Sequence, residues 1–194
     1  AMILPTSIMD MIEEANDYYF PTLTNIYLKV ARSFITIMTV FLTPLYLLFM
    51  QNPDWIPEMF TFVKVKDVVN VPLVYQLFIL EIAIDGLRLA ALNTPSMLST
   101  PLSVIAGLVM GEFSVSSGWF NSEVMLAMAF VAVANYTQPN FELGYALKFM
   151  RMQLLFLTAL FNGIGFTIGT MIIILSIVFN KTLSGRSYLN VKLN

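Results

Sequence analysis

The chain has 194 residues, 58% of them hydrophobic and 11% charged, with a net charge of −2 and neither cysteine nor histidine. An ordinary soluble domain carries about 25% charged residues, so this composition reads as a membrane protein, with the lipid bilayer as its first partner and no basic tract to attract a nucleic acid. Without Cys or His, disulfide frameworks, thiolate nucleophiles, Ser-His-Asp relays and the common zinc sites fall away together, so no enzyme activity, cofactor or metal site is expected.

The expected fold is all-α: a polytopic membrane helix bundle with four to six membrane segments, some short or broken. The first residues, Ala1 to Pro5, lack a basic n-region and a cleavage pattern, so no signal peptide is expected, and Ala1 ahead of Met2 reads either as a cloning scar or as an internal start, so that a fragment is expected. Residues 1–32 form an amphipathic juxtamembrane segment. Asp10, Glu13, Glu14 and Asp17 mark its polar side, and Ile8, Met9 and Ile12 its apolar side. Residues 33–180 form the membrane domain, and 181–194 a polar C-terminal tail.

Within that domain, Ser33 to Met50 is an uncharged first span that Pro44 should kink. A loop from Gln51 to Asn70 follows, with Trp55 as an interfacial anchor. Val71 to Leu92 is the second span, ended by Asn93-Thr94-Pro95, and Pro95 and Pro101 bracket a connector. Leu102 to Phe113 and Val124 to Ala134 are apolar but short for a crossing. Phe141 to Arg151 alternates Phe141, Tyr145 and Phe149 with Lys148 and Arg151, the pattern of an interfacial helix. Met152 to Asn180 has no charge and is long for one span, so it either tilts or breaks at Asn162-Gly163. Basic residues flank both ends of the domain, so the positive-inside rule does not orient it.

Two constellations stand out. On a helix Glu81, Asp85 and Arg88 fall within about 60° of one another and form an intramembrane charge cluster. It reads either as an ion-coordinating or gating group or as a structural one. The i,i+3 spacing of Asp85 and Arg88 favours the structural reading, with Glu81 as the odd charge. The second is a small, weakly polar helix face: Ser99, Ser103, Ala106, Gly107, Met110 and Ser114. Gly107 and Gly111 form a Gly-xxx-Gly pair, as do Gly165 and Gly169. Such pairs ordinarily let helices approach closely. Repeated around a ring of subunits, the same face would line a narrow pore, with Met110 as its constriction and Glu112 as a charged ring at its mouth.

From Ile82 to Arg151 the sequence IAIDGLRLAALNTPSMLSTPLSVIAGLVMGEFSVSSGWFNSEVMLAMAFVAVANYTQPNFELGYALKFMR resembles the A-subunit family of spore germination receptors, the GerA type. The similarity runs from about Asp17 to Tyr188, and the order of the motifs is far more specific than any one of them. The resemblance implies a multi-pass protein of the spore inner membrane, acting in nutrient-triggered germination. It further implies a homo-oligomeric ring around an ion-conducting path, a transporter-like B-type membrane subunit as partner, and monovalent cations as cargo. One branch of the family is associated with amplifying ion release once germination begins. Ser103 to Glu112 matches the family's glycine-rich helix, which makes Ser103, Ala106, Gly107, Met110 and Glu112 the candidate pore-lining residues. Family members also carry a large hydrophilic N-terminal domain, of which only Ile3 to Tyr19 would be the end here. The alternatives are a non-conducting scaffold that assembles receptors and, with less support because no internal repeat is visible, a secondary transporter.

Overall fold

The computed structural model describes residue 12 and residues 19–65, 69–93, 104–138 and 140–179. Among them every regular element is helical: α1 Thr22–Gln51, α2 Leu73–Asn93, α3 Val104–Ser116, α4 Ser122–Tyr136 and α5 Phe141–Phe179. Two 3-10 turns, Pro53–Trp55 and Glu58–Val63, occupy the loop between α1 and α2. Both α1 and α5 are long and apolar enough to cross a membrane. Of the juxtamembrane segment, residues 22–32 belong to α1, and residues 1–18 apart from Ile12 lie outside the described residues, as do the connector with Pro95 and Pro101 and the C-terminal tail.

The chain forms two compact units, residues 1–48 with 133–194 and residues 49–132. In the first, α1 is patterned inside out. Its buried stripe holds Thr36, Thr39, Thr43 and Leu47, while Leu23, Ile26, Val30, Phe34 and Ile37 are exposed. Lipid removes the drive to hide apolar side chains, so close-packing and polar residues move to the helix contact. Two of the threonine hydroxyls are satisfied along the helix: Thr36 and Thr39 donate at 2.8 Å to the carbonyls of Arg32 and Ile35, one turn back. Across the unit, Gln138 Nε2 donates to Thr36 Oγ1 at 3.2 Å and Arg151 donates to the Thr39 carbonyl at 2.9 Å. The helix runs on through Pro44, which is itself buried.

The same inversion corrects the expectation for Phe141 to Arg151. An interfacial helix would hold its cations toward water, yet Lys148 and Arg151 are buried and Phe149 is 71% exposed. Phe149 points outward, and Arg151 turns toward the α1 carbonyl of Thr39.

At Asn162, α5 breaks, with φ 53° and ψ −132°, close to the first central residue of a type II′ turn. In a straight helix residues 154 and 169 would stand about 22 Å apart. Instead the position of a Cβ on Gly169 lies 3.5 Å from Leu154 Cα, and Gly165 abuts Leu157. Ile173 shares a buried cluster with Val40, Leu143, Leu147 and Leu154, and Ile177 packs against it. As the second half advances, its neighbours move back along the first half. Residues 141–161 and 163–179 are thus an antiparallel helical hairpin, its arms about 31 and 25 Å long at 1.5 Å per residue. Of the two expectations for this apolar run, a tilt or a break, the structure has the break. Ile12 also joins this cluster.

In the second unit α2 and α4 carry the core. Leu77, Leu80, Val124, Met128 and Val131 are buried, whereas Tyr75, Ile79, Ile82, Leu126 and Phe130 are exposed. Gln76 joins the starts of the two helices. Its Nε2 donates to the Val71 carbonyl at 2.7 Å and to Asn121 Oδ1 at 2.8 Å, and its Oε1 accepts the Asn121 N–H at 2.9 Å. That last bond satisfies a backbone donor at the N-terminal end of α4, where no helical carbonyl is available. The Asn70 N–H also bonds the carbonyl of Gly118, whose φ of 71° suits glycine.

Candidate functional site

The charge cluster lies on α2, as its spacing requires. Glu81 is 2% and Arg88 7% exposed, and Asp85 is half-buried. Each of the three engages in at least one hydrogen-bonding or electrostatic interaction. Glu81, the odd charge in the sequence, is therefore the most deeply placed of the set and is not stranded.

The small face lies on α3, and its backbone is unusual. Leu108–Phe113 is π-helical, continuing into a last α-turn, Ser114–Ser116. Ser114 Oγ donates to the Val109 carbonyl, five residues back, at 2.7 Å. A ladder of i→i+5 bonds has more residues per turn than an α-helix, so residues four apart stack nearly in line. Accordingly Ala106, Met110 and Ser114 form one half-buried row, while Gly107 and Glu112 are exposed. Ser103 and Ser99 lie outside the described residues. The sequence placed Gly107 on the same face as Ala106 and Met110; in the structure Gly107 is exposed while those two are half-buried. Short π segments appear mostly as local bulges inside α-helices, frequently at functional sites.

The two Gly-xxx-Gly pairs have opposite surroundings. Around Gly165 and Gly169 an added Cβ would meet Leu157, Phe161 and Leu154 at once. Around Gly107 and Gly111 it would meet nothing within 4 Å. One pair closes the hairpin within the chain, and the other offers its surface outward. Among the described residues no three Asp or Glu side chains converge as a metal site would need.

A family model described as the Bacillus/Clostridium GerA spore germination protein matches residues 1–193. The chain belongs to the GerA family. It is 30% identical over 182 residues, 94% of its length, to stage V sporulation protein AF of Bacillus subtilis (strain 168), and covers 37% of that protein. It is 24% identical over 192 residues to spore germination protein GerQA of Bacillus cereus, covering 38% of it. A similar match, 24% over 174 residues, covers 34% of the uncharacterized membrane protein YfkQ of Bacillus subtilis (strain 168). The chain thus spans little more than a third of the length of these relatives. No solved structure matches it.

Sequence reasoning found α3 and the charge cluster but missed the Gln76–Asn121 clamp and the polar seam of α1. The seam had a signal: Thr36, Thr39 and Thr43 recur at helical spacing. The clamp had none, because its two amides are forty-five positions apart.

Proposed function

We propose that this GerA-family chain is the membrane part of a subunit in an oligomeric ion-conducting complex of the spore inner membrane, with α3 contributing to the conducting path and no catalytic role. The observation that carries the reading is the open space around Gly107 and Gly111 on a helix with a π-helical middle. A small-residue surface left unfilled within the chain suits repetition around a ring, where Met110 would narrow the path and Glu112 would attract monovalent cations. In this reading the helices contribute four to six membrane segments, and a transporter-like B-type subunit stands beside the ring. Family membership and the names of the relatives support the germination setting.

Liposome flux of potassium through the full-length protein tests it. Gly107→Leu and Met110→Trp should each reduce flux at least tenfold while the oligomer survives detergent extraction. A second reading has support from the same open surface, since Gly-xxx-Gly pairs more often pack helices than line pores. A scaffold without a conducting path predicts that Gly107→Leu disperses the oligomer and that the wild type gives no flux.

A further inference from the structure

The second unit contains a cleft of about 490 Å³ in which the proposed conducting path has no part. Its volume falls within the roughly 300–1,000 Å³ of small-molecule sites. Its walls are the end of α1, the loop that follows, the start of α2 and the residue preceding α4. Apolar side chains dominate the lining, among them Met50, Ile56, Val65, Val69 and Leu73. The polar groups are few and differ in kind. Both Gln76 amide groups are committed, to Val71 and Asn121, so Gln76 offers an incoming ligand little. Lys64 is the only charged side chain among the described lining residues. It is half-buried, and its ammonium has no hydrogen bond or ion pair among the described residues.

The loop that supplies Lys64 also exposes Trp55, Met59 and Phe60, at 57%, 78% and 48%. Tryptophan is enriched at the headgroup level of a bilayer, and Trp55 with its exposed apolar neighbours fits that level. Asp54 and Glu58 of the same loop are exposed and do not line the cleft.

We propose that this cleft binds an anionic phospholipid, its phosphate at Lys64 and the upper part of an acyl chain along Met50, Ile56, Val65, Val69 and Leu73. A free phosphate would leave that apolar wall wet and find a single cation among the described lining residues. A neutral lipid would leave the ammonium without a counter-charge. Bilayer lipid is also the amphiphile that the exposed Trp55, Met59 and Phe60 would meet first.

The test is native mass spectrometry of the chain released from phosphatidylcholine nanodiscs doped with phosphatidylglycerol, using the wild type, Lys64→Gln and Val69→Trp. Wild type should retain phosphatidylglycerol in preference to phosphatidylcholine. Lys64→Gln should lower that preference about fivefold, the weight of one cation at an anionic surface. Val69→Trp should displace lipid of either headgroup; should it fail to fold, Lys64→Gln at the polar edge still decides the question. Equal retention of phosphatidylglycerol by wild type and Lys64→Gln would overturn the proposal. So would equal retention of the two lipids by wild type, or displacement by inorganic phosphate alone.

Discussion

Gly165 sits on the main chain of Leu157: a methyl group on its Cα would lie 2.5 Å from the Leu157 carbonyl carbon and 3.0 Å from Phe161 Cβ. Backbone cannot rotate aside as a side chain can, so this contact fixes how closely the arms of the α5 hairpin approach.

Gly165→Ala should therefore destabilise the fold by about 3 kcal/mol, at the upper end for an overpacked site. At Gly169 the nearest atoms are Leu154 Cδ1 at 2.6 Å and Leu157 Cδ1 at 3.2 Å, ends of side chains that can shift. Gly169→Ala should cost nearer 1 kcal/mol. Gly107→Ala and Gly111→Ala, with open space around them in a helix, should stabilise the single chain by up to about 1 kcal/mol. Denaturant titration in mixed micelles ranks the four. Equal costs at 165 and 169 would mean that the hairpin arms are free to slide.

Asn162 has a positive φ, a region that asparagine tolerates better than most residues. Glycine also adopts this backbone, so the net effect of Asn162→Gly should stay within about 1 kcal/mol. Asn162→Val puts a β-branched side chain at that φ and should cost about 2–3 kcal/mol. The same titration reads both, and a harmless valine would show that the reversal is not made at this residue.

The Gln76–Asn121 clamp predicts an asymmetry. Gln76→Leu strips partners from the Val71 carbonyl, the Asn121 amide oxygen and the Asn121 N–H, and should cost about 3 kcal/mol. Asn121→Leu leaves Gln76 bonded to Val71 and to the main-chain N–H, so about 1–2 kcal/mol is expected. The double variant should cost less than the sum, because one interaction is removed twice. Strict additivity in the cycle would deny the pairing.

Arg151 donates to a carbonyl of α1 from a buried position, a charge-assisted bond worth about 1.5–3 kcal/mol. Arg151→Met should lose about that much, whereas Phe149→Leu, on the exposed side of the same helix, should change stability by less than about 0.5 kcal/mol. If the phenylalanine proves the costlier loss, the helix faces are the reverse of those described.

Local signals in the sequence located some helix ends. Tyr136 ends α4 next to the Thr-Gln-Pro run, because proline and polar clusters act on the residues beside them, whereas α1 begins at Thr22, ahead of the uncharged run from Ser33, since Lys29 and Arg32 do not stop a helix. The orientation of faces was less legible. For Phe141 to Arg151 the pattern of aromatics against cations is the same whether the cations meet water or a neighbouring helix, and only the position of α1 distinguishes the two. The π-helical turn of α3 was not legible, since Leu108 to Phe113 reads as ordinary apolar helix and the register follows from hydrogen bonds that composition does not encode. The glycine pairs are alike as motifs and differ only in what the rest of the fold brings against them.

The reversal at Asn162 also bears on sidedness. A hydropathy count treats the charge-free run from Met152 to Asn180 as one crossing, which would put the chain before Phe141 and the chain after Phe179 in opposite compartments. A hairpin whose arms lie antiparallel returns its exit to its entrance, and its contribution to the parity of crossings is even. Reporter tags placed just before Phe141 and just after Phe179 should then be modified, or protected, together.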